Sequence, residues 1–244
     1  MNPATVGIRS LVAAYDALGL PEQRLQDAIP PDVTLDDILA KITNPGIAAD
    51  LGASETTFQA IHHMELIANL LDAYSETGER TFLHSADAEY QKCLRLLPPE
   101  IRALVQLRGA AALSYFQYEQ DVALRIQNGE RFLEQEVVEY LLRRGSDSPL
   151  YTAILLVDNI SGPALTAGFR LRQALWDLAD DIRDVEQDRR TIGANVLLMS
   201  TVAGTTGLRT LADSLYEQGR ELPLPMPLQR AIGRQYERTI AALN

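Results

Sequence analysis

Apolar residues recur at three- and four-residue intervals along almost the whole chain, the spacing that lines them up on one side of a helix. Segments of this kind cover roughly 5–18, 34–42, 55–76, 83–97, 100–127, 130–143, 149–158, 161–188, 194–218 and 228–243. Alternating apolar and polar runs, the mark of a half-buried strand, are nearly absent, and no Asn-Gly or Asp-Gly turn lies between such runs. The breaks fall where helix chemistry puts them. Thr34 and Ser54 are candidate N-caps, each followed within three residues by an acid. Pro98-Pro99 before Glu100 suits a helix start, with proline in the first turn and an acid near the positive end of the helix dipole. "GSDSP" (145–149) and "SGP" (161–163) interrupt helices, and "PLPMP" (223–227) reads as an extended connector before a last helix. No fixed-period repeat or low-complexity tract divides the chain. The pattern predicts one all-α domain over residues 1–244, a bundle of about eight to ten helices.

Composition narrows the function classes. Of the 244 residues, 46% are hydrophobic and 23% charged, which is enough apolar material for a large core. With 22 basic against 33 acidic residues, the net charge of -11 argues against a general binder of nucleic acid or anionic membrane, since both would be repelled. Cys93 is the single cysteine. It excludes an intrachain disulfide and a cysteine zinc cluster, and is expected to be a small buried apolar residue of a protein in a reducing compartment. No segment approaches the roughly 20 apolar residues of a membrane span, and no secretory leader pattern opens the chain. A cytoplasmic location is expected.

Against this background one run stands out. "LWDLADDIRDVEQDRRTIGANVLL" (175–198) carries Asp177, Asp180, Asp181, Asp184 and Asp188 within four helical turns. Residues at i, i+4 and i+8 drift only about 40° each way on a helix, so Asp180, Asp184 and Asp188 share a face, with Asp177 and Asp181 at its edges. Leu171, Leu175, Leu178, Ile182 and Val185 lie beside the row, so the helix is expected to be mostly buried. Each like-charged i,i+4 pair costs about 0.2–0.5 kcal/mol when exposed and more when desolvated. Arg183, Arg189 and Arg190 offset part of this charge on a solvated face. Hard divalent cations offset more, because Mg²⁺ takes carboxylate oxygens, keeps several waters and bridges to phosphate.

A second row lies on "AIHHMELIANLLDAYSETGER" (60–80), where His62, Glu65, Asn69, Asp72 and Glu76 follow one another at intervals of three and four. The remaining positions are apolar, so this row is expected to face solvent or a polar cavity. Two apolar helices, each with a line of acids, suggest that the lines face each other across a pocket.

The run "GFRLRQALWDLADDIRDVEQDRRTIGANVLL" (168–198) resembles the second aspartate-rich region of the trans-prenyl diphosphate synthases, members of the class I isoprenoid synthase superfamily. Trp176-Asp177 stands for the family's Phe-Gln, Asp180, Asp181 and Asp184 for its acids, Gln187-Asp188 for Gly-Asp, and Gly193-Ala194 for Gly-Lys. Asp180, Asp184 and Asp188 also fit the i, i+4, i+8 metal motif of class I terpene cyclases. The first aspartate-rich motif falls on "LLDAYSETGER", with Asp72 and Glu76 as its outer acids, Ala73 in place of the second Asp, and Arg80 where the family carries an arginine. Fainter likeness runs through 7–19, where Ile8 replaces a lysine and Arg9 remains, and through 115–124.

The resemblance implies an isoprenoid-synthase-type helical bundle around a central cavity, a homodimer, and a small prenyl diphosphate as substrate. It also implies Mg²⁺ held by Asp72, Glu76, Asp180, Asp181, Asp184 and Asp188, with Asp72, Asp180, Asp184 and Asp188 in the catalytic role. Arg80, Arg183, Arg189 and Arg190 would bind the diphosphate, and Phe169, Trp176 and Asp177 would line the substrate site. The basic residues missing at Ile8 and Ala194 are those that hold a second diphosphate or clamp the first. Their loss points to an enzyme that ionises one prenyl diphosphate and resolves the carbocation internally, a terpene synthase. Two other readings use the same residues: a prenyl diphosphate synthase that still condenses with isopentenyl diphosphate, and a non-catalytic subunit of such an enzyme.

Overall fold

Thr34 and Ser54 open helices as their side chains predict. Thr34 forms a reciprocal capping box with Asp37, and the Ser54 hydroxyl accepts from the Thr57 N–H. The computed structural model describes residues 7–18, 33–191, 194–199 and 204–244, with the backbone alone at 190, 191 and 204–206. Every regular element among the described residues is helical, as the periodicity predicts. In chain order these are α1 (Leu11–Leu18), α2 (Leu35–Ala40), α3 (Asn44–Asp50), α4 (Glu55–Thr77), α5 (Arg80–Leu96), α6 (Pro99–Gln127), α7 (Glu134–Arg144), α8 (Ser148–Leu155), α9 (Leu165–Thr191), α10 (Gly204–Glu221) and α11 (Met226–Ala242). Single 3-10 turns occupy Leu156–Asp158 and Val196–Leu198. The chain forms two compact units, residues 1–114 with 149–161 and residues 115–148 with 162–244.

The first unit is organised by α4 and α5. Gly78, at φ 71°, ends α4 in the left-handed conformation that glycine adopts without a side-chain clash, and α5 then packs back along α4. Where α4 and α5 pack, Ile61, Met64, Leu70 and Leu71 of α4 and Leu83, Tyr90 and Cys93 of α5 are all buried. Each such leucine stabilises the fold by about 1.5–3 kcal/mol. Cys93 is fully enclosed, its thiol against the Ala60 carbonyl at 3.4 Å, and burial pushes its pKa up to about 12. That is the inert core cysteine expected from the sequence. The chain entering α1 is pinned by long-range bonds, among them the Tyr90 hydroxyl to the Ile8 carbonyl at 2.9 Å, Gln91 Nε2 to the Arg9 carbonyl at 2.8 Å, and the Leu11 N–H to Asp87 Oδ1 at 2.5 Å.

The second unit is built around α9, against which α7, α10 and α11 pack. Leu171, Leu175 and Leu178 put one side of α9 in the core. Gly168 lets the helix come close to the connector before α11, since a Cβ there would lie 2.7 Å from Leu228 Cδ2 and 2.8 Å from Leu224 Cδ2. From α11, the Thr239 hydroxyl donates to the Leu175 carbonyl at 2.8 Å, a buried polar bond that fixes the register of the two helices.

The elements depart from the predicted segments in informative places. Helix α3 falls in no predicted segment, because "NPG" at 44–46 reads as a turn; Pro45 instead sits in its first turn, where a missing N–H costs nothing. Segment 161–188 is α9, begun at Leu165 and extended to Thr191. Segment 194–218 is broken: a 3-10 turn at Val196–Leu198 precedes α10, and residues 200–203 lie outside the described residues. "PLPMP" is extended only to Pro225, and Met226 and Pro227 already belong to α11.

Candidate functional site

The acid row of α9 is divided by burial. At 100° per residue, Asp177, Asp181, Asp184 and Asp188 fall within about 60° of one another, and Asp180 lies a further 40° to one side. Asp177 and Asp181 are buried, at 6% and 3% exposure; Asp180 and Asp188 are half-buried and Asp184 is exposed. The buried part of the row therefore centres on the two acids that the sequence places at its edges.

What offsets their charge is an arginine from another helix. Arg144, the last residue of α7, places Nη1 2.6 Å from Asp181 Oδ1 and Nε 3.4 Å from Asp177 Oδ2. The second Asp181 oxygen accepts the Val196 N–H at 2.8 Å, so both of its oxygens are engaged. Asp177 Oδ1 accepts from Gln173 Nε2 at 3.0 Å. Among the described residues, Asp177 Oδ2 is buried beside the Arg144 ion pair with no hydrogen-bond donor. Tyr140 closes this side, its ring 5.6 Å from the Arg144 guanidinium and its hydroxyl donating to the Ala194 carbonyl at 2.6 Å.

The electrostatics follow from burial. Desolvation lifts the Asp177 carboxyl to about 7 against the opposing pull of Arg144, and lifts Asp188 to about 6 against the opposing hydrogen bond from Asn195. Asp181 is also raised by burial, with Arg144 opposing, and Arg144 itself is held firmly protonated by the two acids despite its own burial. The end of the row is tied to the following segment. Asn195 Nδ2 donates to the Asp181 carbonyl at 2.9 Å and to Asp188 Oδ2 at 2.7 Å.

The basic and aromatic candidates take distinct places. Arg183 pairs with Asp180 and also donates to the Ala179 carbonyl, and Arg189 pairs with Glu186 at 2.8 Å; both guanidiniums are exposed. The side chain of Arg190 lies outside the described residues. Phe169 is packed in the core, whereas Trp176 is half-buried with the Arg172 guanidinium 5.9 Å from its ring centre.

The α4 row belongs to the first unit, and at Glu65, Asn69 and Asp72 it meets residues of the segment 38–44. Buried Glu65 accepts the Thr43 and Asn44 N–H groups, each at 2.8 Å, and the Thr43 hydroxyl at 3.2 Å. These N–H groups open α3, so Glu65 acts as its N-terminal cap from another helix. Asn69 Nδ2 lies 3.4 Å from the Ile38 carbonyl, and Asp72 pairs with Lys41 at 3.6 Å. The row is thus a seam that binds the segment 38–44. Beyond it, Glu76 is exposed, and Arg80 donates to Asp16 of α1 at 2.9 Å. His63 pairs with Glu89 at 2.6 Å, and His62 is lowered by burial and by the neighbouring His63.

The donor chemistry of Asp180, Asp184 and Asp188 suits a hard cation that keeps part of its water shell. Asp181 is less suited, because Arg144 and the Val196 N–H hold both oxygens. Among the described residues, no three His, Cys, Asp or Glu side chains converge closely enough to hold a metal ion directly. Also among them, no helix is long and apolar enough to cross a membrane.

Arg144, Asn195, Lys41 and Thr43 were not singled out by sequence. A basic residue closing a helix before the "GSDSP" break is a cue for Arg144, but not for its partners 33 and 37 residues away, a separation that only the fold brings together. Comparison with family models, with curated proteins and with solved structures returned no match.

Proposed function

We propose that this chain is a Mg²⁺-dependent terpene synthase of class I type, which ionises one linear prenyl diphosphate to a carbocation and releases diphosphate. The observation that carries the reading is the division of the α9 row. Arg144 accounts for Asp177 and Asp181, and leaves Asp180, Asp184 and Asp188 as a partly exposed set at i, i+4 and i+8. The run 168–198 that contains them carries the resemblance to the isoprenoid synthases.

In this reading Asp180, Asp184 and Asp188 would be the carboxylates of α9 that hold Mg²⁺. Mg²⁺, when bound, supplies the charge neutralisation that lets a diphosphate leave. The chain's own groups do the rest. Arg183 and Arg189 present exposed guanidiniums beside the row, whose planar donor pairs match phosphate oxygens. Trp176, one turn before Asp180, offers a π face to positive charge on the substrate. The resemblance further supports a homodimer, and the single buried cysteine supports a reducing compartment such as the cytoplasm.

A second reading rests on a specific observation. Asp72 is paired with Lys41, and among the described residues no three acids converge, which favours a non-catalytic subunit that binds a partner synthase or a prenyl chain. Incubation with Mg²⁺ and the C10, C15 and C20 prenyl diphosphates, with and without isopentenyl diphosphate, separates the readings. A hydrocarbon or alcohol from one substrate alone supports the synthase. Longer diphosphates formed only with isopentenyl diphosphate mark an elongating enzyme, and no product under any condition leaves the subunit.

A further inference from the structure

Helix α11 carries Arg230, Arg234 and Arg238 at i, i+4 and i+8. Successive members turn about 40° around the axis and rise about 6 Å along it, so they form one row. The other side of the helix is buried through Leu228, Ala231, Ile232, Gln235 and Thr239, and all three arginines are exposed. Among the described residues none of the three has an ion pair. The acids of the neighbouring α10 are engaged elsewhere: Asp213 accepts the Tyr236 hydroxyl at 2.6 Å, and Glu217 pairs with Arg220 at 3.0 Å. Met226, 61% exposed, stands one turn before Arg230 on the same face.

A row of uncompensated arginines is a specific feature in a chain of net charge -11. Like charges at four-residue spacing repel on a helix, and an acid opposite each one relieves that repulsion. The shape of the row selects the partner. A second copy of the same face does not fit, because the three arginines outnumber Glu237, the one acid of α11, and two such faces repel. A bilayer fits less well than a helix: its headgroup phosphates would meet exposed Glu237 together with the arginines, and the rest of the chain would be repelled. A helix touches a narrow line and carries its acids in the same four-residue step. We propose that the outer face of α11 docks an acidic helix of a partner protein, with carboxylates at i, i+4 and i+8 opposite Arg230, Arg234 and Arg238 and an apolar side chain against Met226. The planar guanidinium fork matches a carboxylate. One helix face is a small interface, so the complex is transient and its formation depends on salt. The proposal does not depend on what the α9 row binds.

The probe is a fluorescein-labelled helix of alanine and glutamine, held by a hydrocarbon staple, with glutamates at i, i+4 and i+8 and a leucine one turn from the end of the row. Its isomer has the same residues with the glutamates spread round the helix. Fluorescence anisotropy at low salt is expected to show the row peptide binding about tenfold or more tightly than the isomer, and losing most of that affinity at about 0.3 M salt. Arg234→Glu is expected to weaken the row peptide about tenfold or more. Arg131→Glu makes the same charge change at an exposed arginine outside α11 and is expected to weaken it less than about twofold. Both variants are expected to keep the wild-type melting temperature within a few degrees.

Equal affinity for the two peptides, equal weakening by the two variants, or no binding of the row peptide overturns the proposal. Vesicles of phosphatidylserine and phosphatidylcholine form the second arm. Sedimentation with them that Arg234→Glu abolishes, without binding of the row peptide, overturns the acidic helix in favour of a membrane surface.

Discussion

Arg144 and Asp181, 37 residues apart in sequence, meet with Nη1 2.6 Å from Oδ1, and the same guanidinium reaches Asp177. Removing a buried charge while leaving its partners costs more than the pair contributes, because the orphaned carboxylates stay desolvated. Arg144→Met is expected to lower the unfolding free energy by about 3–5 kcal/mol, measured by urea denaturation. Adding Asp181→Asn is expected to recover part of the loss.

The same burial makes stability depend on pH. Asp177 titrates at about 7 and Asp188 at about 6 in the fold, both raised by desolvation, against about 3.9 in an unfolded chain. Between those limits the fold binds more protons than the unfolded chain, so this contribution is complete below the unfolded value and is lost as pH rises through 6 to 7. The melting temperature is therefore expected to rise as pH is lowered from 8 towards 5.5. The Asp177→Asn variant is expected to flatten that rise.

Glu65 and Asp72 lie on one stripe of α4 yet differ in what they hold. Glu65 is buried and accepts two N–H groups that open α3, whereas Asp72 is nearly half exposed in an ion pair at 3.6 Å. Glu65→Gln keeps one acceptor oxygen for those two N–H groups, which share Oε2, but removes the negative charge at the start of α3, and is expected to cost about 1–2 kcal/mol. Asp72→Asn is expected to cost less than about 1 kcal/mol. Thermal unfolding of the two variants side by side checks the contrast.

At Gly168 an added methyl would enter the van der Waals space of Leu224 and Leu228. Gly168→Ala is expected to destabilise the chain by about 1–3 kcal/mol through overpacking, despite alanine's higher helix propensity. Gly233, where an added Cβ meets nothing within 4 Å, serves as the control, and Gly233→Ala is expected to be neutral or stabilising.

The helices were legible because their signals are local: a 3.6-residue period, the Thr34 and Ser54 caps, and the "GSDSP" break that ends α7 at Gly145. Helix α3 was hidden because its stabiliser is not local. Glu65 caps it from 21 residues further along the chain, while "NPG" by itself reads as a turn. The α9 row was legible as a stripe of charge, and which of its members are buried was not. That depends on Arg144 arriving from α7 and on Asn195 folding back, and neither partner leaves a periodic trace. The α4 row was likewise visible as a stripe, but its neighbour, the segment 38–44, is a property of tertiary packing.

In the proposed function the exposed half of the α9 row serves a metal-dependent ionisation, and Asp184 is its most exposed member. The direct test is diphosphate release from single prenyl diphosphates with Mg²⁺ and with chelator, comparing the wild-type chain with Asp184→Ala. Release by the wild-type chain is expected to need Mg²⁺ and no isopentenyl diphosphate, and to be lost in Asp184→Ala while the variant's melting temperature is kept. Equal release by both proteins, or none by the wild-type chain from any of the three chain lengths, would contradict it.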